Sequence, residues 1–133
     1  MAKVLYVDHE LTRVIQLKNI LAFDYNIEIA FTGWEGLGAA MLYHPDIMLL
    51  NLNVDVMDGL ELLRLMRTEE DLINLPVFCF SAPRDRQMEQ VAVKRTCSAV
   101  FEYPFDRSAL VEMIESALPI SQLPETKTLP SKS

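Results

Sequence analysis

An α/β domain, a parallel sheet wrapped by helices, is the fold class this sequence predicts, and three observations carry it. Short β-rich runs alternate five times with helical patterns, the rhythm of βα units rather than of an all-α or all-β chain. The middle run, Ile47 to Leu50 (IMLL), is apolar throughout, as a central strand covered by helices on both faces must be. The chain has 133 residues, enough for one domain that buries roughly two thirds of the surface its unfolded form exposes.

The first strand is Lys3 to Val7 (KVLYV). A helix follows from about Glu10 to Phe23, with Leu11, Val14, Ile15 and Leu21 at helical spacing. The second strand is Ile27 to Phe31, after which Thr32 and Glu35 form a T-x-x-E capping box. That box opens a helix to about Tyr43, stopped by Pro45, and the interior glycines Gly36 and Gly38 weaken it by about 1 kcal/mol each relative to alanine. The third strand ends at Asn51, and Asp58 can cap a helix reaching about Thr68. The fourth strand is Pro76 to Phe80, and Pro83 is well placed to begin a helix over 84–95. The fifth, Ala99 to Glu102, leads through Tyr103-Pro104-Phe105 to Asp106, which caps a last helix to about Leu118. From Pro119 on, proline recurs and apolar periodicity stops. The expected organisation is one domain over 1–118 and a disordered tail or linker over 119–133.

Composition narrows the function. Half the residues are hydrophobic and 23% are charged, which suits a folded globule and not a disordered chain. With 12 Lys and Arg against 19 Asp and Glu, the net charge of −7 opposes a phosphate backbone or an anionic membrane face, so no nucleic acid and no membrane partner is expected. The apolar runs fall far short of the ~20 residues a membrane helix needs, and no apolar signal segment follows Met1, so a cytoplasmic protein is expected. Cys79 and Cys97 lack zinc-ligand or C-x-x-C spacing. They read as reduced, partly buried thiols, with a regulatory disulfide as the lesser alternative.

Ligands of open α/β sheets bind outside the carboxyl ends of the strands. Asp8, His9, Asn51, Ser81 and Tyr103 all leave strands at that edge, and if strands one and three are neighbours, Asp8 and Asn51 come within reach of each other.

These pieces, VDHE at 7–10, LLNLNVDVMDG at 49–59, SA at 81–82 and YPFD at 103–106, together resemble the response-regulator receiver domain, the CheY-like family, over about residues 3–118. The resemblance implies a flavodoxin-like (βα)5 doubly wound sandwich with strand order 2-1-3-4-5, and a cis Tyr103-Pro104 bond. It also implies a phosphorylation pocket. Active members hold Mg²⁺ with two acids after strand one and a phosphoacceptor aspartate after strand three. A hydroxyl after strand four and a lysine after strand five contact the phosphoryl group. Here the first acid is Asp8, the second position is His9, the acceptor position is Asn51, the hydroxyl is Ser81 and the lysine position is Tyr103. The aromatic switch position along strand five is Val100.

Those replacements have direct consequences. The amide of Asn51 is a very poor nucleophile beside a carboxylate. His9 and Asn51 supply neither the charge nor the oxygen ligands that Mg²⁺ prefers. Asn51 can instead donate to Asp8, and the Tyr103 hydroxyl can join that network, leaving a pocket satisfied without an ion or other cofactor.

Structural roles stand beside these readings. Asp8 reads as a cap of the first helix, His9 as a surface loop residue and Glu10 as a solvated first-turn glutamate. Asp58 reads as a cap and Asp55 as a solvated turn residue. The basic group Arg84, Arg86, Lys94 and Arg95 reads as a solvated helix face, and Trp34 as half-buried packing.

The expected function is therefore a non-catalytic pseudo-receiver, not an enzyme, acting in a two-component-type pathway by phosphorylation-independent protein–protein interaction. Two alternatives stand: a receiver phosphorylated at Asp55 or Asp8, and a flavodoxin-like nucleotide or small-ligand binder, which the absence of a Gly-rich phosphate loop disfavours. Expected partners are a histidine kinase, an output domain, another regulator or a second copy. The expected docking face comprises the helix over 84–95, the fifth strand and the last helix, with Lys94, Arg95, Glu102, Asp106 and Glu112 as candidate contacts.

Overall fold

The computed structural model describes residues 1–53, 59–82 and 97–124. The expected helix over 84–95 with its basic group, the loop acids Asp55 and Asp58, and the segment 125–133 lie outside the described residues.

Strands β1 (Lys3–Val7), β2 (Asn26–Ala30), β3 (Ile47–Asn51), β4 (Val77–Ser81) and β5 (Ala99–Glu102) form one sheet in the order β2-β1-β3-β4-β5. All four strand pairs are parallel. Helices α1 (Leu11–Leu21), α2 (Gly33–Tyr43), α3 (Gly59–Met66) and α4 (Arg107–Ala117) connect or follow them. This is the fold class and the strand order expected. None of the described helices is long and apolar enough to cross a membrane.

Alternation along the strands creates two cores. Leu5, Val7, Met48, Leu50, Val77 and Cys79 point to one face, where they meet Ala40 of α2 and Leu62, Leu63 and Met66 of α3. Val4, Tyr6, Ile47, Leu49, Phe78 and Phe80 point to the other, against Val14, Leu17 and Leu21 of α1 and Leu110 and Ile114 of α4. Because successive side chains alternate between faces, a strand buried on both sides must be apolar at every position, and β3 and β4 are buried throughout.

Local chemistry sets the element ends. The capping box forms, with Thr32 Oγ1 accepting from Glu35 N at 3.1 Å. Its return bond reaches back to Phe31, whose N–H donates to Glu35 Oε2 at 3.4 Å. That commitment takes Phe31 out of the expected second strand, which instead ends at Ala30, and leaves its ring 43% exposed. Pro76 has no N–H for the ladder, so β4 begins at Val77, and it runs on through Ser81, whose carbonyl accepts from Tyr103 N at 3.1 Å. In α1 the buried stripe is Val14, Leu17 and Leu21, while Leu11 and Ile15 face outward. Trp34 is exposed rather than half-buried, since it lies on the side of α2 away from Gly36 and Ala40.

Gly36 has a packing reason to be where it is. A Cβ there would lie 2.9 Å from Val7 Cγ2, so its missing side chain lets α2 lie close on β1. Gly59 does the same for α3, since a Cβ would come within 2.6 Å of Leu52 Cα.

The chain does not leave the domain at Pro119. Residues Ile120–Gln122 form a 3-10 turn, Gln122 Nε2 donates to Asp46 Oδ1 at 2.8 Å, and Leu123 packs against the α1–α4 core. One polar tether and one apolar contact thus hold the first part of the expected tail, a pairing the local composition does not show.

Candidate functional site

The register Val7↔Leu50 between β1 and β3 brings Asp8, one residue past β1, beside Asn51 at the end of β3. Asp8, Asn51 and Ser81 are all fully buried. A buried carboxylate is tolerable only when its oxygens are paired. Here Oδ1 accepts from Asn51 Nδ2 at 2.9 Å, from Glu10 N at 3.0 Å and from Arg13 Nη2 at 3.1 Å. Oδ2 accepts from Arg13 Nε at 2.8 Å and from the Tyr6 hydroxyl. A carboxylate offers about four lone-pair sites, so these donors saturate it.

Arg13 is the cation of the site. It stands in the first turn of α1 and forks onto both oxygens of Asp8, the bidentate geometry in which Arg–carboxylate pairs are strongest. Its guanidinium carbon lies 4.2 Å from the centroid of the Tyr103 ring, a cation–π contact. Burial disfavours the charged form of Asp8, but the bonds from Arg13, Tyr6, Glu10 and Asn51 outweigh it and hold the carboxyl below its usual range. Burial, followed by the neighbouring Asp8 charge, pushes the Tyr6 phenol far up, so Tyr6 is a donor at every working pH.

The remaining expected site residues divide. Asn51 donates to Asp8 as anticipated, and its Oδ1 accepts from Asn53 N at 3.0 Å. Tyr103 joins the cluster through its ring face, under Arg13, rather than through its hydroxyl. The Tyr103-Pro104 bond at this corner is cis, as expected. His9 is at the margin, with Nδ1 3.9 Å from Asp8 Oδ1 and a side chain 34% exposed. Ser81 stays outside the cluster, its hydroxyl donating to the Ala82 carbonyl at 3.2 Å. Val100 packs on the α2–α3 face of the sheet. Glu102, Asp106 and Glu112 are exposed along β5 and α4.

Two expected capping roles change. The N-cap of α1 is Glu10, whose carboxylate accepts from Thr12 N at 3.0 Å. Asp8 cannot take that role because its oxygens are already committed. Asp106 occupies the N-cap position of α4 with its backbone, and its side chain makes no capping bond.

Sequence reasoning missed Arg13 and Tyr6. Tyr6, on β1, lies two residues before Asp8, close enough for its hydroxyl to reach the carboxylate, and Arg13 lies five residues after. An arginine one helical turn into α1 behind a lone buried acid was the available signal.

Comparison with known proteins gives a consistent picture. The family model described as the response regulator receiver domain matches residues 4–115. The polar-differentiation response regulator DivK of Brucella ovis is 27% identical over 111 residues, covering 84% of this chain and 90% of that protein. Among solved structures, chemotaxis response regulator CheY4 of Vibrio cholerae superposes with a TM-score of 0.79 at 24% identity, covering 89% of this chain and 99% of that one. The receiver domain of a Pseudomonas aeruginosa sensor histidine kinase, solved with a magnesium ion coordinated in its active site cleft, superposes with a TM-score of 0.79 at 17% identity, covering 86% and 95%. At these identities the structural likeness speaks to fold alone.

Proposed function

The chain belongs to the response regulator receiver domain family of two-component signalling, and from that premise we propose that it is a pseudo-receiver, a signalling module that acts on a protein partner without being phosphorylated.

One observation carries this reading: the guanidinium of Arg13 sits on both oxygens of Asp8. Asp8 is the one acid left in the pocket by the alignment of motifs, and Mg²⁺ would need those same oxygens. The donor set does not fit the ion. Asn51 and His9 bring no negative charge, and Arg13 already neutralises Asp8 with a cation that cannot be deprotonated in a protein. Arg13 thus does electrostatically what a metal would do for Asp8, and it leaves no coordination position open. The same saturation argues against Asp8 as an acceptor of phosphate.

With Asn51 in place of the nucleophile and Tyr103 in place of the lysine, the groups that would form and stabilise an acyl phosphate are missing together. Receiver domains interact with kinases and other signalling proteins. For this chain we place the partner contact on β5 and α4, with Glu102, Asp106 and Glu112, extended by Lys94 and Arg95.

The test is incubation of the full chain with acetyl phosphate and Mg²⁺, read by intact mass. No adduct is expected. A hydroxylamine-sensitive gain of about 80 Da, the mark of an acyl phosphate, overturns the proposal and would direct attention to Asp55.

A further inference from the structure

Helix α2 carries a single charged residue, Glu35, in its whole length. A helix apolar on every side is ordinarily enclosed by other elements, yet this one is enclosed only in part. Gly36 and Ala40 turn inward, while Trp34, Met41 and Leu42 are 59%, 42% and 85% exposed. With Gly38 they stand at positions i, i+4, i+7 and i+8 counted from Trp34, which is one continuous helix face. Isolated apolar side chains on a surface need no explanation, but an apolar helix face open to water does.

The shape of that face is specific. Nothing lies within 4 Å of the place a Cβ on Gly38 would take, so Gly38 is a notch, and it falls midway between the large side chains of Trp34 and Leu42. These three residues form an i±4 row, the ridge used in the commonest class of helix packing, with a crossing angle of about −50°. A two-fold axis at Gly38 that runs a second α2 antiparallel to the first sets Trp34 of each copy against Leu42 of the other, so the ridge is complementary to itself. The two notches meet at the axis and let the helices approach closely.

Charge supports the same arrangement. Glu35 lies in the first turn of α2, and at the last turn the Lys3 ammonium donates to the Tyr43 carbonyl at 3.2 Å and lies 5.2 Å from the Tyr43 ring centroid. An antiparallel copy brings Glu35 of each chain to the end where the other holds Lys3, and it sets the two helix dipoles head to tail. A chain of net charge −7 otherwise repels its own copies, and α2 from Gly36 to Tyr43 offers an approach without charged side chains.

We propose that α2 is a self-association surface, on which two copies of this chain cross antiparallel at Gly38 with Trp34 seated on Leu42 across the axis. Helix α2 packs on β1 and β2, and β5 is the opposite edge of the sheet, so the pair leaves both β5–α4 faces open. The pairing does not depend on what those faces bind. One helix about 16 Å long from each copy makes a small interface, so a dissociation constant on the order of 100 μM is expected and dilute protein is monomeric.

Sedimentation equilibrium of the full chain from about 5 μM to about 1 mM tests this, and a reversible monomer–dimer equilibrium is expected. Trp34→Glu and Leu42→Lys each place a charge where the helix dipole favours it, so both should keep the fold, checked by circular dichroism. Each should weaken association at least about tenfold. Gly38→Cys puts a thiol at the axis, and mild oxidation should link two chains through that position much faster than through Phe23→Cys, an exposed position after α1 and off this face. A chain that stays monomeric across the whole range overturns the proposal and leaves the α2 face to a different protein. So does a dimer indifferent to both charged variants, or a Phe23→Cys chain that cross-links as fast as Gly38→Cys.

Discussion

Arg13 stacks on Tyr103, its guanidinium carbon 4.2 Å from the ring centroid, while its other side forks onto Asp8. Tyr103 therefore acts as a platform that holds this cation in place. The positive charge beside Asp8 at this sheet edge comes from α1.

Removing that cation should be expensive. Arg13→Ala leaves a fully buried carboxylate with only neutral donors, and breaking such a pair from one side costs about 2–4 kcal/mol at a partly screened site. Arg13→Lys should recover only part, because an ammonium neither forks onto two oxygens nor stacks as a planar group. Urea denaturation of the three proteins measures the order, and equal midpoints would mean that Asp8 does not depend on Arg13.

The same carboxylate gives the protein an acid limb. Asp8 titrates lower in the folded chain than its ordinary value of 3.8, so the unfolded state binds the proton first and stability falls as pH falls. Its contribution is fully present above the unfolded value and is lost as pH drops through the depressed folded value. Asp8→Asn should flatten this part of a stability profile taken from pH 6 down to about 2, and a profile of unchanged slope would count against the saturated pair.

An acid placed at Asn51 should not by itself make the chain an efficient phosphoryl acceptor. In Asn51→Asp two carboxylates replace a 2.9 Å amide–carboxylate bond. The expected cost is about 1–3 kcal/mol at pH 7. The cost shrinks as pH falls, because one carboxyl of such a pair titrates upward and its protonated form is favoured in the folded state. Labelling by acetyl phosphate should be slow and weakly Mg²⁺-dependent. Adding His9→Asp and Tyr103→Lys should improve it, and adding Arg13→Ser to those should improve it again by freeing Asp8. A triple variant as fast with Arg13 as without it would show that Arg13 does not compete with the ion.

The two interior glycines of α2 should respond oppositely to alanine. Gly36→Ala drives a methyl to 2.9 Å from the buried Val7 side chain and should cost about 1–3 kcal/mol by overpacking. Gly38→Ala meets nothing within 4 Å and should stabilise by about 0.5–1 kcal/mol through helix propensity. Thermal melts of both variants decide the matter, and shifts in the same direction would refute the packing reason given for Gly36.

Element order was legible in the sequence because it rests on short-range chemistry: the apolar run IMLL, the capping pair Thr32 and Glu35, and the prolines that end or begin elements all act within a few residues. The meeting of Asp8 and Asn51 followed once strands β1 and β3 were taken as neighbours, since parallel register then leaves little freedom. Only the tertiary structure decided which side chain neutralises Asp8. That choice depends on how α1 rolls onto the sheet, set by Val14, Leu17 and Leu21 packing on one core, and the roll that buries them points Arg13 inward and Leu11 and Ile15 outward. A buried charge takes the partner that packing delivers, and packing sums contacts from elements far apart along the chain.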